Sequence, residues 1–144
     1  MTKKSILTPE LKVLNFKESL DFYTRLARFK ILYDRPESDF AMLEINGANL
    51  MIEGLTEKSR AWKVGPLARP LGLGIHLQIE IPDVQRSYDN FMKAGYPLFA
   101  DMEEKWYRAN DEELGNRQFW VQDPDGYLLR FFQDLGARSR TISS

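Results

Sequence analysis

The chain has 144 residues, of which 43% are hydrophobic and 28% charged, which suffices for one domain with its own core. The net charge is −1 and acidic and basic residues are mixed, which argues against nucleic acid or membrane partners, because either needs a concentrated basic surface. Zero cysteines exclude disulfides, thiolate nucleophiles and cysteine zinc sites. No apolar run reaches the roughly 20 residues of a membrane span, and no signal-peptide pattern follows the start. We therefore expect a cytoplasmic protein.

The first third of the chain predicts the order βαβββ. Residues 5–14 alternate as a strand, and Pro9 within it marks an edge or a crossing between subunits. Asn15 is a helix N-cap, with Glu18 three residues later, and an apolar stripe continues the helix to about Arg28. A strand at 29–33 and a hairpin around Asn46-Gly47 complete the unit.

The same order returns after a linker over 55–73, which is rich in glycine, proline and charge. Residues 75–81 alternate as a strand, Asp83 caps a helix that stops at Gly95, and 98–108 reads as a long strand. A polar turn is predicted over 111–116. The closing hairpin is built around 123–126, Asp-Pro-Asp-Gly, and the tail after Gly136 is predicted to be disordered.

The two units repeat in sequence. Asn15 and Asp83 are equivalent at an offset of 68, and Gly47 is equivalent to Gly126. We therefore predict a single α+β domain over 1–144 made of two βαβββ halves, about 5–54 and 74–134. Each half contributes a curved mixed sheet whose apolar face is covered by one helix, and the two sheets enclose a groove.

The other face of each predicted sheet is too polar for a core and suits the wall of that groove. It carries Thr8, Glu10, Lys12, His76, Gln78, Glu80 and Arg130. Counting across the two tight turns puts Phe119 opposite Arg130 and Met42 opposite Met51, so Phe40, Met42 and Phe119 are expected on this face. A groove with polar and large apolar side chains predicts a ligand site.

Two linked motifs carry a family resemblance. The run 13–23, Val-Leu-Asn-Phe-Lys-Glu-Ser-Leu-Asp-Phe-Tyr, followed by 119–132 with its Asp-Pro-Asp-Gly, resembles the vicinal-oxygen-chelate superfamily of glyoxalase I, extradiol dioxygenases, fosfomycin-modifying enzymes and bleomycin resistance proteins. The similarity covers roughly residues 5–134 and implies paired βαβββ halves.

Enzymes of that superfamily hold a divalent metal with His or Glu at equivalent points of the two halves. The resemblance places those points at Thr8, Met51, His76 and Arg130. Of these, His76 alone is an ordinary metal ligand, because a guanidinium repels a divalent cation and a thioether is a soft ligand. We therefore expect no metal, no cofactor and no catalytic residue.

Within the superfamily, the chain resembles the bleomycin resistance branch most closely. The shared features are the 38–41 entry to the first hairpin, Pro9 in the first strand, and the missing metal set. That likeness implies a homodimer that exchanges its first strand near Pro9 and sequesters a ligand in crevices at the interface. The aromatic surfaces that it implies are Phe40, Trp62, Trp106 and Phe119. The nearly neutral charge, with Arg108, Arg117 and Arg130 near the groove, departs from that branch.

Several roles stay open from sequence. His76 is a ligand-contacting donor, an inherited remnant or a general base, and Arg130 either clamps an anion or pairs with Glu10, Glu53 or Glu80. In the 98–108 strand, Trp106 and Arg108 share one side, facing either a planar ligand or a core and dimer interface. The ligand-contacting set expected is Phe40, Met42, Trp62, His76, Trp106, Arg108, Phe119 and Arg130. The alternatives to a binding protein are a metal-dependent enzyme with atypical ligands and a scaffold module.

Overall fold

The computed structural model describes residues 5–56 and 62–140. The first half contains β1 (Glu10–Val13), α1 (Phe16–Asp21), a π-helical turn (Phe22–Leu26), β2 (Lys30–Arg35), a 3₁₀ turn (Pro36–Ser38), β3 (Phe40–Ile45) and β4 (Ala48–Gly54). The second half contains β5 (His76–Glu80), α2 (Val84–Lys93), β6 (Ala100–Ala109), β7 (Glu112–Gln122) and β8 (Leu128–Ser139). Among these residues, no helix has the length and apolarity to cross a bilayer.

The strands form two four-stranded sheets with one topology. Their orders are β1-β4-β3-β2 and β5-β8-β7-β6. In each sheet the first strand pairs in parallel with the last, and the other neighbours are antiparallel. The predicted α+β fold with two mixed βαβββ sheets is confirmed.

Both helices begin at the side chains that the sequence indicated. The Asn15 Oδ1 accepts from the backbone N–H of Glu18 at 3.1 Å, and the Asp83 Oδ1 accepts from that of Arg86 at 3.1 Å. Each cap satisfies an N–H that has no partner inside its helix. The first helix continues as the π-helical turn and ends at Ala27, so its predicted length is close to that observed.

One hydrophobic core joins the two halves. The rings of Phe22 and Phe91, one from each helical segment, lie 5.7 Å apart, and Phe91 also packs on Phe119 and Phe131. The Asn90 amide donates to the carbonyl of Leu26 at 2.6 Å, which ties α2 to the end of the π-helical turn. One face of each sheet belongs to this core, and the other face lies outside it.

The second tight turn also locks the halves together. The Tyr23 hydroxyl donates to Asp123 at 2.7 Å, while Asp125 accepts from the Ser19 hydroxyl at 3.4 Å and from Arg69 Nε at 3.0 Å. Burial raises the pKa of Asp123 to about 6, against the opposing effect of its hydrogen bonds. Sequence predicted a locally capped turn here, and the structure adds this contact with the first helix.

The hairpin of β6 and β7 is longer than predicted. The predicted polar turn over 111–116 is wrong, because β7 begins at Glu112. The predicted disorder directly after Gly136 is also wrong, because β8 continues to Ser139, while residues 141–144 of that tail lie outside the described residues. The turn lies at Asn110, which has a φ of 58°. Arg138 explains the extension, since it pairs with Glu113 at 3.0 Å and lies 4.0 Å above the Trp106 ring.

Candidate functional site

The face of the second sheet that points away from the core converges on Arg130. In the ladder Arg130 of β8 pairs with Gln78 of β5 on one side and with Trp120 of β7 on the other. Since alternate residues of a strand share a face, Phe132 and Gln118 lie on the same face as Arg130. This face therefore brings together side chains from three neighbouring strands.

The Arg130 guanidinium is buried and fixed by amides. The residue is 8% exposed. Its Nε donates to the Gln118 Oε1 at 2.7 Å, its Nη1 donates to the Gln78 Oε1 at 2.7 Å, and its Nη2 also donates to Gln118. The Asn116 carboxamide accepts from Nη2 at 3.1 Å when its oxygen faces the guanidinium. These bonds leave one N–H of Nη1 for another acceptor.

Gln118 holds Arg130 rigidly. It is fully buried at 0% exposure, and its Nε2 donates to the Glu103 Oε1 at 2.9 Å and to the Tyr107 hydroxyl at 2.6 Å. With both amide hydrogens used and its oxygen shared between two guanidinium nitrogens, this side chain has one orientation. Gln78, by contrast, is exposed and holds the guanidinium through one bond. Arg130 therefore has one fixed and one displaceable neighbour.

Aromatic rings surround the guanidinium. Its Cζ lies 5.1 Å from the ring centre of Tyr107, 5.4 Å from that of Trp120 and 6.0 Å from that of Phe132. Such distances permit cation–π attraction. The His76 ring packs edge-on against Trp120, with their centres 4.8 Å apart, so His76 lies on the same face as predicted.

The positive charge of Arg130 has no carboxylate partner in the part of the chain that the structure describes, where no acid lies within 4.0 Å of its nitrogens. Glu10 and Glu53, two of the partners that sequence offered, instead both accept from Lys12 at 2.5 Å. The third, Glu80, lines the same open cleft without reaching the guanidinium. The cleft has a volume of about 520 Å³, within the usual range for ligand sites. We call it the Arg130 cleft, lined by Gln78, Glu80, Tyr107, Leu114, Asn116, Arg130, Phe132, Asp134, Gly136 and Ala137.

The expectation that Phe119 lies on the groove face is wrong. Phe119 pairs with Phe131, is 0% exposed and packs in the core. The turn between the paired residues Gln122 and Leu128 contains five residues, one more than the count from sequence assumed. One extra residue moves every side chain of β7 to the opposite face, which places Trp120 rather than Phe119 beside Arg130.

Trp106 and Arg108 share one side of β6, as expected, but it is not the side that faces Arg130. Tyr107, between them, has the ring and hydroxyl that face Arg130 and Gln118. Trp106 lies on the other side of β6, against Gly115, where a Cβ would come within 2.6 Å of its ring. Arg108 pairs with Glu113 in the ladder, one position from the Tyr107 pair, and therefore points away from the cleft as well.

The remaining predicted residues lie elsewhere. Met42 is opposite Met51, as expected, and Phe40 is opposite Glu53, but both belong to the first sheet and are 7% and 2% exposed. Trp62 lies in the linker, is 72% exposed, and does not line the Arg130 cleft. Among the eight predicted residues, the structure brings His76 and Arg130 together on one face.

The contributors to the site that were not predicted as ligand contacts include Gln78, Tyr107, Gln118 and Trp120. Alternation along the strand places the polar side chain of Gln78 on the groove face, so the sequence did contain a signal for this residue. Gln118 and Trp120 required the correct length of the second turn, and Tyr107 required the register of β6, which shifts between its pairs at Ala100 and Glu103.

Comparison with known proteins agrees with this fold. Neither a protein-family model nor a curated protein sequence matches the chain. Among solved structures, a glyoxalase/bleomycin resistance protein/dioxygenase from Alicyclobacillus acidocaldarius has 21% identity and a TM-score of 0.60, covering 91% of this chain and 92% of its own. A lactoylglutathione lyase from Agrobacterium tumefaciens has 15% identity and a TM-score of 0.60, covering 91% and 94%. These two likenesses show the fold.

A third structure, of a glyoxalase/bleomycin resistance protein/dioxygenase superfamily member from Vibrio splendidus 12B01, has 31% sequence identity. The match covers 87% of this chain and 95% of that one. This chain belongs to the glyoxalase/bleomycin resistance protein/dioxygenase superfamily. Membership rests on the sequence identity alone, because the superposition of the two whole chains has a TM-score of 0.38.

The residues at the positions where the family resemblance places the metal ligands do not fit a divalent cation. Arg130 brings a fixed positive charge, Met51 a thioether, and Thr8 lies before β1. His76 is the single histidine of the sequence, so no second histidine can share a metal ion with it. Within residues 5–56 and 62–140 no group of three His, Asp or Glu side chains is arranged to hold a metal ion.

Proposed function

We propose that this superfamily member is a metal-free binding protein of the bleomycin resistance type, which sequesters a small or medium-sized organic ligand in the Arg130 cleft. One observation supports this most directly. A buried guanidinium stands where a metal ligand would be needed, fixed by Gln118 and bordered by three aromatic rings. Such a group attracts an oxygen anion or a planar molecule, and it opposes a metal ion.

The rest of the cleft suits binding by contact. Tyr107 and Leu114 are 38% and 45% exposed, so they offer apolar surface to a ligand. Trp120 beside the guanidinium gives a spectroscopic signal, since a ligand that reaches Arg130 changes the environment of its indole. An apolar wall with a few fixed polar groups is the usual composition of small-molecule sites.

The proposal is tested by titrating a ligand panel that includes bleomycin and planar organic anions, with tryptophan fluorescence and thermal shift as readouts. We expect saturable binding that Arg130→Gln weakens at least tenfold. The matched control is Arg35→Gln, which removes an arginine that lies 3.9 Å above the Phe40 ring on the first sheet. Flat titrations across the panel would favour a scaffold, and a stoichiometric Zn, Mn or Fe in purified protein would contradict a metal-free site.

We also propose that the protein is a homodimer whose N-terminal strand is exchanged near Pro9, with the ligand at the interface. Ile6 and Leu7 precede this hinge with 103% and 80% exposure, which makes them candidates for burial by a partner. Sedimentation should give a dimer at micromolar concentration, weakened by Leu7→Ser. Val64→Ser is the control, because Val64 is even more exposed, at 111%, but lies in the linker. A stable monomer would refute the dimer.

A further inference from the structure

The Arg130 cleft contains charges of both signs that do not neutralise one another. Besides Arg130, its lining includes the carboxylates of Glu80 and Asp134. Neither makes an ion pair with a basic side chain in the described part of the chain. Arg130 is buried while Glu80 and Asp134 are exposed, and each of these charges can form a charge-assisted bond with an opposite charge on a ligand.

Glu80 is placed to act together with Arg130. The neighbour of Arg130 on β5 is Gln78, and Glu80 lies two residues further along the same strand and face. Diagonal positions on adjacent strands are about 7–8 Å apart. The two side chains therefore offer an anion site and a cation site on one face, which matches the carboxylate and ammonium of an α-amino acid. Asp134 is four residues from Arg130 on β8, about 13 Å along a strand, so by backbone position Glu80 is the nearer carboxylate.

The Arg130 guanidinium can bind an anion by exchanging one of its present hydrogen bonds. Gln118 is buried and keeps Nε and Nη2 in place, whereas Gln78 is exposed and is bonded to Nη1 alone. A ligand carboxylate that displaces the Gln78 amide from Nη1 gains both hydrogens of that nitrogen. The guanidinium then bonds an ionised acceptor in place of a neutral amide oxygen, which strengthens its hydrogen bonds.

From these positions we propose that the Arg130 cleft selects zwitterionic aromatic molecules of the amino acid class. The carboxylate is bound by Arg130, the cationic group by Glu80, and the ring by the apolar surface of Tyr107, Phe132 and Leu114. This inference rests on the proposed function, and it adds the requirement that one ligand carry both charges. A ligand with an anion alone leaves Glu80 unpaired, and one with a cation alone leaves Arg130 unpaired.

Three probes that share one ring test this requirement: L-phenylalanine, 3-phenylpropionate, which lacks the ammonium, and 2-phenylethylamine, which lacks the carboxylate. Titrations followed by amide NMR shifts at neutral pH should show L-phenylalanine binding at least tenfold more tightly than either. Glu80→Gln should abolish its advantage over 3-phenylpropionate, and Arg130→Gln its advantage over 2-phenylethylamine. Asp134→Asn is the matched control and should change the affinity of L-phenylalanine less than twofold.

Glu80 and Asp134 are both exposed, so their variants are expected to fold even if Arg130→Gln does not. If wild-type protein binds 3-phenylpropionate as tightly as L-phenylalanine, the zwitterion requirement is wrong and the proposed binding function survives. Equal binding of 2-phenylethylamine and L-phenylalanine overturns it in the same way. If neither these probes nor the wider panel bind, both proposals fail.

Discussion

The two sheets pair their strands at equivalent positions, but the charged side chains on their outer faces are arranged differently. In the first sheet, the pairs Glu10–Met51 and Lys12–Glu53 stand where the second sheet has Gln78–Arg130 and Glu80–Phe132. Lys12 there bonds both glutamates at 2.5 Å. In the second sheet the cation, Arg130, lies on the last strand and the acid, Glu80, on the first. No ion pair within 4.0 Å joins these two side chains among the described residues.

The contrast between the two charge arrangements shows that a repeated fold need not repeat its site. On the first sheet an acid lies beside the lysine on the neighbouring strand, so the charges satisfy each other and little remains for a ligand. On the second sheet an amide occupies the place beside the arginine, and the charges remain available. The hairpin turns also differ, since Asn46-Gly47 is a bare two-residue turn and the second turn carries the buried carboxylates Asp123 and Asp125.

The largest effect is expected from breaking the ionic cluster of the first sheet. Lys12→Met should lower the free energy of unfolding by about 3 kcal/mol, because the buried Glu53 carboxylate loses its partner. Denaturant unfolding measures the change. Arg25→Ala, which removes an exposed ion pair with Asp21, is the control and should cost less than about 0.5 kcal/mol. Equal costs for the two variants would mean that the cluster is solvated like a surface pair.

Next in size is a pH effect confined to the second turn. The folded pKa of Asp123 is raised to about 6 from an ordinary value of 3.8, chiefly by burial. The folded protein therefore holds this proton more tightly than the unfolded chain, so the contribution of Asp123 to stability is full below about pH 4 and is lost as the pH rises through 6. The size is on the order of 2 kcal/mol.

Asp123→Asn isolates that contribution, because an amide keeps an acceptor for the backbone N–H groups of Asp125 and Tyr127 and can donate to Tyr23. Unfolding of both proteins between pH 4 and 7.5 should show wild type losing stability relative to the variant as the pH rises. A constant difference over that range would show that Asp123 is ionised throughout.

Much of the fold was accessible from sequence, because it is encoded by local patterns. The caps at Asn15 and Asp83 and the Asn46-Gly47 turn each shape the backbone within a few residues. The repeat was visible because the second half carries the same kinds of local pattern at an offset of 68. The site depended on the register of β7, which the length of the second turn decides. Because that turn has one residue more than expected, Trp120 rather than Phe119 lies beside Arg130. Nothing local indicates that Gln118 holds Arg130, since their pairing crosses 12 positions of chain.

The support of Arg130 by Gln118 should be measurable as a coupling. Gln118→Met leaves two guanidinium nitrogens without their acceptor and should lower the free energy of unfolding by about 1.5 kcal/mol. In a double-mutant cycle with Arg130→Met, we expect a coupling of about 1 kcal/mol, because the second change removes the group that the first left unsatisfied. Additive losses would show that Gln118 supports Tyr107 and Glu103 rather than Arg130.

The smallest effect separates the two tryptophans of the second sheet. Trp120→Leu removes the ring 5.4 Å from the Arg130 Cζ, so the guanidinium that binds the ligand loses part of its support and the affinity for the best ligand should fall by about fivefold. Trp106→Leu removes a ring of similar size whose neighbours are Gly115 and Arg138 on the opposite face, and it should change that affinity less than twofold. Since both variants retain one of these indoles, calorimetry rather than fluorescence gives a fair comparison. A larger loss in Trp106→Leu would move the ligand to the other side of β6, and the charge contrast between the two sheets would then have no bearing on binding.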